Sequence, residues 1–129
     1  MAVLSVVSLG TGSAEYLTRG GEAAMRNAKQ LVLRTGRSPI ASFLTEQGFE
    51  FDTLDDLYEQ CEDFDAFHQA AAVTLFSRMK EGDLCYVVSD AAFDGTVFAL
   101  QRLKPRDLEL RIVPGVSLAD CCLSLIKRQ

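Results

Sequence analysis

Hydrophobic residues come in short blocks along this chain, separated by polar and glycine-rich punctuation. Ala2 to Leu9 is a continuous, β-branched apolar run that stops at Gly10, the pattern of a strand buried on both faces. Thr18 is placed to cap a helix reaching about Ala28, with Gly21, Ala24, Met25 and Ala28 on one face. Leu31 to Arg34 reads as a second strand. Ser38-Pro39 reads as a cap with proline at the first position of a helix reaching about Gln47. The alternation of Phe49 and Phe51 with Glu50 and Asp52 predicts a weaker edge strand over 49–53. The acidic stretch 55–65 reads as a helical turn plus connection. From Asp63 the longest helix is expected, with Phe64, Phe67, Ala71, Leu75 and Met79 recurring at helical spacing and assigned to the core. Leu84 to Val88 is a buried strand, Phe93 to Leu103 a helix, Leu108 to Val113 a fifth strand, and Ser117 the cap of a last helix.

Strands and helices therefore alternate from end to end. That order predicts an α/β fold: a five-stranded, mainly parallel sheet with helices on both faces, in one domain over residues 1–129. The 129 residues are 48% hydrophobic and 24% charged, ordinary for a globular domain. With 13 basic against 18 acidic side chains and a net charge of −5, neither nucleic acid nor an anionic membrane is the expected partner. No apolar run approaches the length of a spanning helix, and the first residues lack the basic region of a signal peptide. Cys61, Cys85, Cys121 and Cys122 form no C-x-x-C pair and His68 is the only histidine. The expectation is free thiols, no metal site and a cytoplasmic location.

Ligands of open α/β sheets sit beyond the carboxyl ends of the strands. Here those ends carry Gly10-Thr11-Gly12-Ser13, Thr35-Gly36-Arg37, Ser89-Asp90-Ala91-Ala92 and Pro114-Gly115-Val116-Ser117. The dinucleotide fingerprint is incomplete: Glu15 occupies the third glycine position, and strand two ends on Arg34, not on an acidic residue. A nucleotide reading would instead have Arg34 and Arg37 hold a phosphate. No P-loop and no G-x-S-x-G elbow occurs. Each loop also has a structural reading: Gly10 and Gly12 as a tight turn, Asp90 as cap of the next helix, Pro114-Gly115 as the end of strand five.

Four segments, in order, resemble the tetrapyrrole (corrin/porphyrin) methylase family. VVSLGTGSAEYLT resembles its opening, roughly V-x-G-L-G-P-G-D/S-P-E-Y-L-T. VVSDAAFDGTV stands where the family has G-D-P, and RIVPGVSLADCCL is similar to its I-x-P-G-V-S segment. LRTGRSPIASFLTEQGFEFDTLDDLYEQCEDFDAFHQA is similar to the methylase half of proteins fused to a MazG-type nucleotide pyrophosphohydrolase. The resemblance implies the N-terminal half of a methyltransferase that uses S-adenosylmethionine and binds it between two domains. Carried over residue by residue, Ser89, Asp90, Ala91 and Phe93, with Pro114, Gly115, Val116 and Ser117, would border the cofactor. Gly10, Thr11 and Gly12 would border the substrate; no catalytic residue is assigned. The chain departs from the pattern at Thr11 and Ala14, where the family has proline, and at Ser89 and Ala91 in the G-D-P position. The second methylase domain is expected to lie outside these residues. The isolated chain is then expected to be inactive and to pair with that domain, another chain or a second copy, through the strand-end loops or the Ala119–Leu125 helix. The competing expectation is a non-catalytic regulatory or dimerisation module derived from such a domain.

Overall fold

A computed structural model describes residues 1–10 and 12–127 of the chain. The central strand is β4, Leu84–Val88, whose five residues are all buried. Burying each such side chain favours folding by about 1.5–3 kcal/mol, so this run belongs in the middle of a sheet and not at its edge. β1 (Ala2–Ser8) pairs with it in parallel, Leu4 opposite Leu84 through Ser8 opposite Val88. β2 (Gln30–Leu33) lies on its other side. β3 (Asp52–Thr53) and β5 (Leu108–Val113) form the two edges, giving an all-parallel five-stranded order β3-β2-β4-β1-β5.

Alternate side chains of the strands feed two cores. Val7, Leu9, Leu33 and Val87 meet Met25 of α1 (Arg19–Asn27) and Ile40 and Leu44 of α2 (Pro39–Glu46). Leu4, Val6, Tyr86 and Val88 meet Phe67, Ala71 and Leu75 of α4 (Phe64–Arg78) and Val97 and Leu100 of α5 (Gly95–Leu103). A short helix, α3 (Asp55–Gln60), precedes α4. The last helix, α6 (Leu118–Lys127), is closed at its start by Ser117, whose Oγ accepts from the Asp120 N–H at 3.1 Å and donates to the Asp120 carboxylate at 3.0 Å. α6 buries none of its residues, and Leu118, Leu123, Leu125 and Ile126 are exposed.

The cap expected at Thr18 is observed, its hydroxyl accepting from the Gly21 N–H at 2.9 Å, and the helix expected from Asp63 is capped by that residue, which accepts from the Ala66 N–H at 2.7 Å. Four expectations are corrected. The predicted third strand shrinks from 49–53 to Asp52–Thr53, because the Phe49 N–H is spent on the Leu44 carbonyl, closing α2, and both Phe49 and Phe51 pack on the α1–α2 core. Phe64 is not core: as the first residue of α4 it is 60% exposed, with its ring beside Tyr58 and His68. α5 begins at Gly95, not Phe93, with Asp94 as its cap accepting from the Val97 N–H at 3.1 Å. Asp90 does not cap that helix; its side chain closes a local turn on the Ala92 N–H at 3.0 Å.

The topology makes a crevice. From β1 the chain leaves across one face toward β2, and from β4 it leaves across the other face toward β5. The connections thus diverge between two neighbouring strands, the switch point at which open α/β sheets leave room beyond the strand ends.

Candidate functional site

At that switch point three loops meet. The Leu9 and Gly10 N–H groups donate to the Val88 and Ser89 carbonyls at 2.9 and 2.7 Å, extending the β1–β4 ladder past the strands. The Ser8 hydroxyl accepts from the Ala91 N–H at 2.9 Å. The loop after β5 fits against the same segment through two glycines. Gly10 has φ +67, and a Cβ there would stand 1.9 Å from the Val116 carbonyl oxygen. A Cβ on Gly115 would stand 2.1 Å from the Ser8 carbonyl oxygen. Only glycine allows backbones to approach this closely. Both glycines are thus accounted for by contact between loops, and the result is a preformed rim.

The rim encloses a cavity of about 260 Å³ whose walls include Gly10, Ser89, Asp90, Ala91, Gly115 and Ser117. Pro114 and Val116 also face it. Of the residues singled out from sequence, Gly12 and Phe93 are not part of that wall. Gly12 lies against Ser38 at the start of α2, and Phe93 is 82% exposed. Thr11 lies outside the described residues. After the Gly10 turn the chain makes a short 3-10 turn, Ala14–Tyr16, before α1 begins at Arg19. No helix N-terminus therefore follows the first glycines directly, as a dinucleotide pyrophosphate would require. Among the described residues, no group of three or more His, Cys, Asp or Glu side chains could hold a metal ion.

A second cavity, of about 550 Å³, opens beyond β2, at the strand-end loop that carries Arg34 and Arg37. Its wall is built by Arg34 and Arg37 from the loop after β2, Tyr58 of α3, and Phe64 and Phe67 of α4. Asp55, also at this cavity, accepts from the Gly36 N–H at 2.9 Å and so fixes the turn after β2. Burial opposes the charge of Asp55, but the Gly36 N–H, the Thr35 and Thr53 hydroxyls and the Arg37 guanidinium outweigh it and hold the carboxyl below its usual range. The sequence signals for this cavity were Arg34 and Arg37; the aromatic wall was concealed because Tyr58 and Phe64 were assigned to a connection and to the core.

The sequence is 27% identical over 127 residues to the uncharacterized protein YabN of Bacillus subtilis (strain 168), covering 96% of this chain and 26% of that protein. The chain therefore spans about a quarter of the length of that curated relative. The fold matches, with a TM-score of 0.69 and 19% identity, a protein from Corynebacterium diphtheriae named as cobalamin synthesis related (CobF), covering 98% of this chain and 58% of that one. That likeness shows the α/β layer. Residues 3–129 match the family description "Tetrapyrrole (Corrin/Porphyrin) Methylases", and with nearly its whole length inside that match the chain belongs to the tetrapyrrole methylase family.

Proposed function

We propose that this chain is the cofactor-facing part of an S-adenosylmethionine-dependent methyltransferase. The observation that carries the reading is the convergence of the loops after β1, β4 and β5 on one crevice at the switch point. The chemistry of that wall suits the cofactor: small side chains, main-chain groups and the Asp90 carboxylate can border a cationic ligand without a steric block. When bound, S-adenosylmethionine supplies an electrophilic methyl group on a sulfonium. Ser89, Asp90 and Ala91 on one side and Pro114, Gly115, Val116 and Ser117 on the other would position it. Gly10 would face the methyl acceptor. Displacement at a methyl group needs in-line positioning and little proton transfer, so a site without a histidine or metal dyad is in keeping with the reaction.

The same wall argues that the chain is inactive by itself. A cavity of about 260 Å³ lies below the ~300–1,000 Å³ of pockets that bury a small molecule, so it encloses only part of the cofactor. The other wall would come from a further domain or chain, and membership of a larger protein is supported by the span of about a quarter of YabN. A MazG-type pyrophosphohydrolase is the neighbour that the sequence resemblance suggests. Free thiols at Cys61, Cys85, Cys121 and Cys122 support a cytoplasmic setting, and no helix among the described residues is long and apolar enough to cross a membrane.

A second reading is favoured by α6: a layer that serves to dock another domain or a second copy, with Leu118, Leu123, Leu125 and Ile126 as its contact face. Calorimetry of the chain with S-adenosylhomocysteine, NADPH and ATP separates the two. Saturable binding of the first alone supports the methylase reading. Binding of none, with self-association in light scattering, supports the docking layer.

A further inference from the structure

We propose that a second copy of this chain docks on the face formed by α3 and the start of α4, and that the part it inserts is its own loop 102–106. The inference is independent of the methylase reading and of the α6 contact face, because it uses residues of neither. Charge is segregated along the chain: residues 38–77 carry nine acidic side chains and no lysine or arginine, so all 13 basic residues lie outside them. At the carboxyl ends of the strands that segment exposes two rings, Tyr58 at 48% and Phe64 at 60%, with centroids 6.0 Å apart. Both rings line two hollows, of about 550 and 300 Å³, the second edged by Glu59 and Glu62. Arg34 and Arg37 are each matched by a carboxylate, Asp94 and Glu59. Asp56, Glu62 and Asp65 are exposed and form no hydrogen bond or ion pair with the described residues. The charge left unmatched around this apolar face is therefore negative, which selects an occupant that is basic and carries an apolar side chain.

The complement stands at the far corner of the same sheet. The end of α5 and the turn into β5 read Arg102-Leu103-Lys104-Pro105-Arg106, all exposed. Leu103 is 43% exposed, and Arg102 and Arg106 have no carboxylate partner among the described residues. Lys104 Nζ donates to the Leu108 carbonyl at 2.8 Å and to the Pro105 carbonyl at 3.2 Å, so the loop is held in shape before any contact forms. In the complex Leu103 covers the rings of Tyr58 and Phe64, and the two guanidiniums lie over ring faces and against Asp56 and Glu62. One molecule cannot make this contact with itself. The loop lies at the amino end of the edge strand β5, and the face at the carboxyl end of the opposite edge strand β3. Across the sheet alone they are separated by four strand spacings, about 19 Å. Two different patches meet, so the contact is heterologous and copies add head to tail.

The test is sedimentation of the whole chain from about 10 μM to about 1 mM, at about 0.02 M and about 0.5 M salt. At low salt the mass is expected to rise with concentration past that of a dimer, and at high salt association is expected to be at least about tenfold weaker. Two double variants, both at exposed positions, separate the partners: Asp56→Asn with Glu62→Gln removes charge from the face, and Arg102→Gln with Arg106→Gln removes it from the loop. Each alone is expected to associate at least about tenfold more weakly, with unfolding midpoints recorded to show that both remain folded. Mixed one to one, they are expected to form a dimer and stop there, because each pair keeps one intact face and one intact loop. Phe64→Ala is expected to weaken association at least about fivefold. A native chain that stays monomeric at low salt would overturn the proposal. So would association that resists salt and is unchanged in both double variants, as a contact through α6 would be, or a mixture no more associated than its parts.

Discussion

The hydroxyl of Ser8, the last residue of β1, accepts a hydrogen bond from the Ala91 N–H at 2.9 Å. A single side chain thus ties the end of one central strand to the loop leaving its neighbour, while the carbonyl of the same residue packs against Gly115. Ser8→Ala removes the tie and leaves the Ala91 amide without its partner. The expected cost is about 1–2 kcal/mol, with faster hydrogen exchange at Ala91 and little change in exchange at the β1–β4 ladder.

The two glycines at the rim have no room for a methyl group. A Cβ on Gly10 or Gly115 would lie within 1.9 or 2.1 Å of a carbonyl oxygen, so the loops must move apart. Gly10→Ala adds left-handed strain of about 1–2 kcal/mol to that clash. Both variants are expected to lose at least about 2 kcal/mol in denaturant titrations, Gly10→Ala the more. At Gly12, whose Cβ would meet the Ser38 hydroxyl at 3.1 Å, the clash is milder although φ is +83, and its alanine variant should lose less than Gly10→Ala.

Asp94 acts twice, capping α5 through the Val97 N–H and facing Arg34 across 3.5 Å. Asp94→Ala should cost about 1–2 kcal/mol, mostly from the cap, because Arg34 retains access to water. Asp94→Asn should recover the larger part of that loss, since an amide oxygen caps nearly as well as a carboxylate.

Burial pushes the Cys85 thiol up to about 12, and burial reinforced by Asp94 also raises the Tyr86 phenol. Both groups are neutral in the folded chain, where the unfolded chain would release their protons. The stability they contribute is therefore whole below about pH 9 and is lost as pH rises toward 12, by up to about 1.4 kcal/mol per pH unit for each proton. Denaturant midpoints between pH 7 and 11 should fall above pH 9, and Cys85→Ala should flatten the part due to the thiol. In the native chain a thiol reagent at pH 8 should label exposed Cys122 and spare Cys85.

β1 and β4 were legible as interior strands because β4 is an unbroken apolar run and β1 is broken only by Ser5 and Ser8. Caps at Thr18 and Ser117, and the start of α4 at Asp63, were legible because each is a short polar residue directly before a helical pattern. Phe64 misled because its spacing from Phe67 and Ala71 fits a core stripe, whereas as the first residue of α4 its ring lies beside Tyr58 and His68 at the surface. Asp90 and Asp94 are both capping residues by type; which one starts α5 is settled by the turn that Asp90 closes on Ala92. The rim residues could be placed on one edge from strand order, but the interlock of Gly10 with Val116 and of Gly115 with Ser8 depends on β5 lying beside β1. The Arg34–Asp94 pair joins segments sixty residues apart, and periodicity carries no information about such pairs.

Backbone amide shifts during a titration with S-adenosylhomocysteine test the central claim most directly. The account predicts weak, saturable changes concentrated at residues 8–12, 89–92 and 114–117. An absence of change at millimolar ligand, or changes confined to other parts of the sheet, would contradict it.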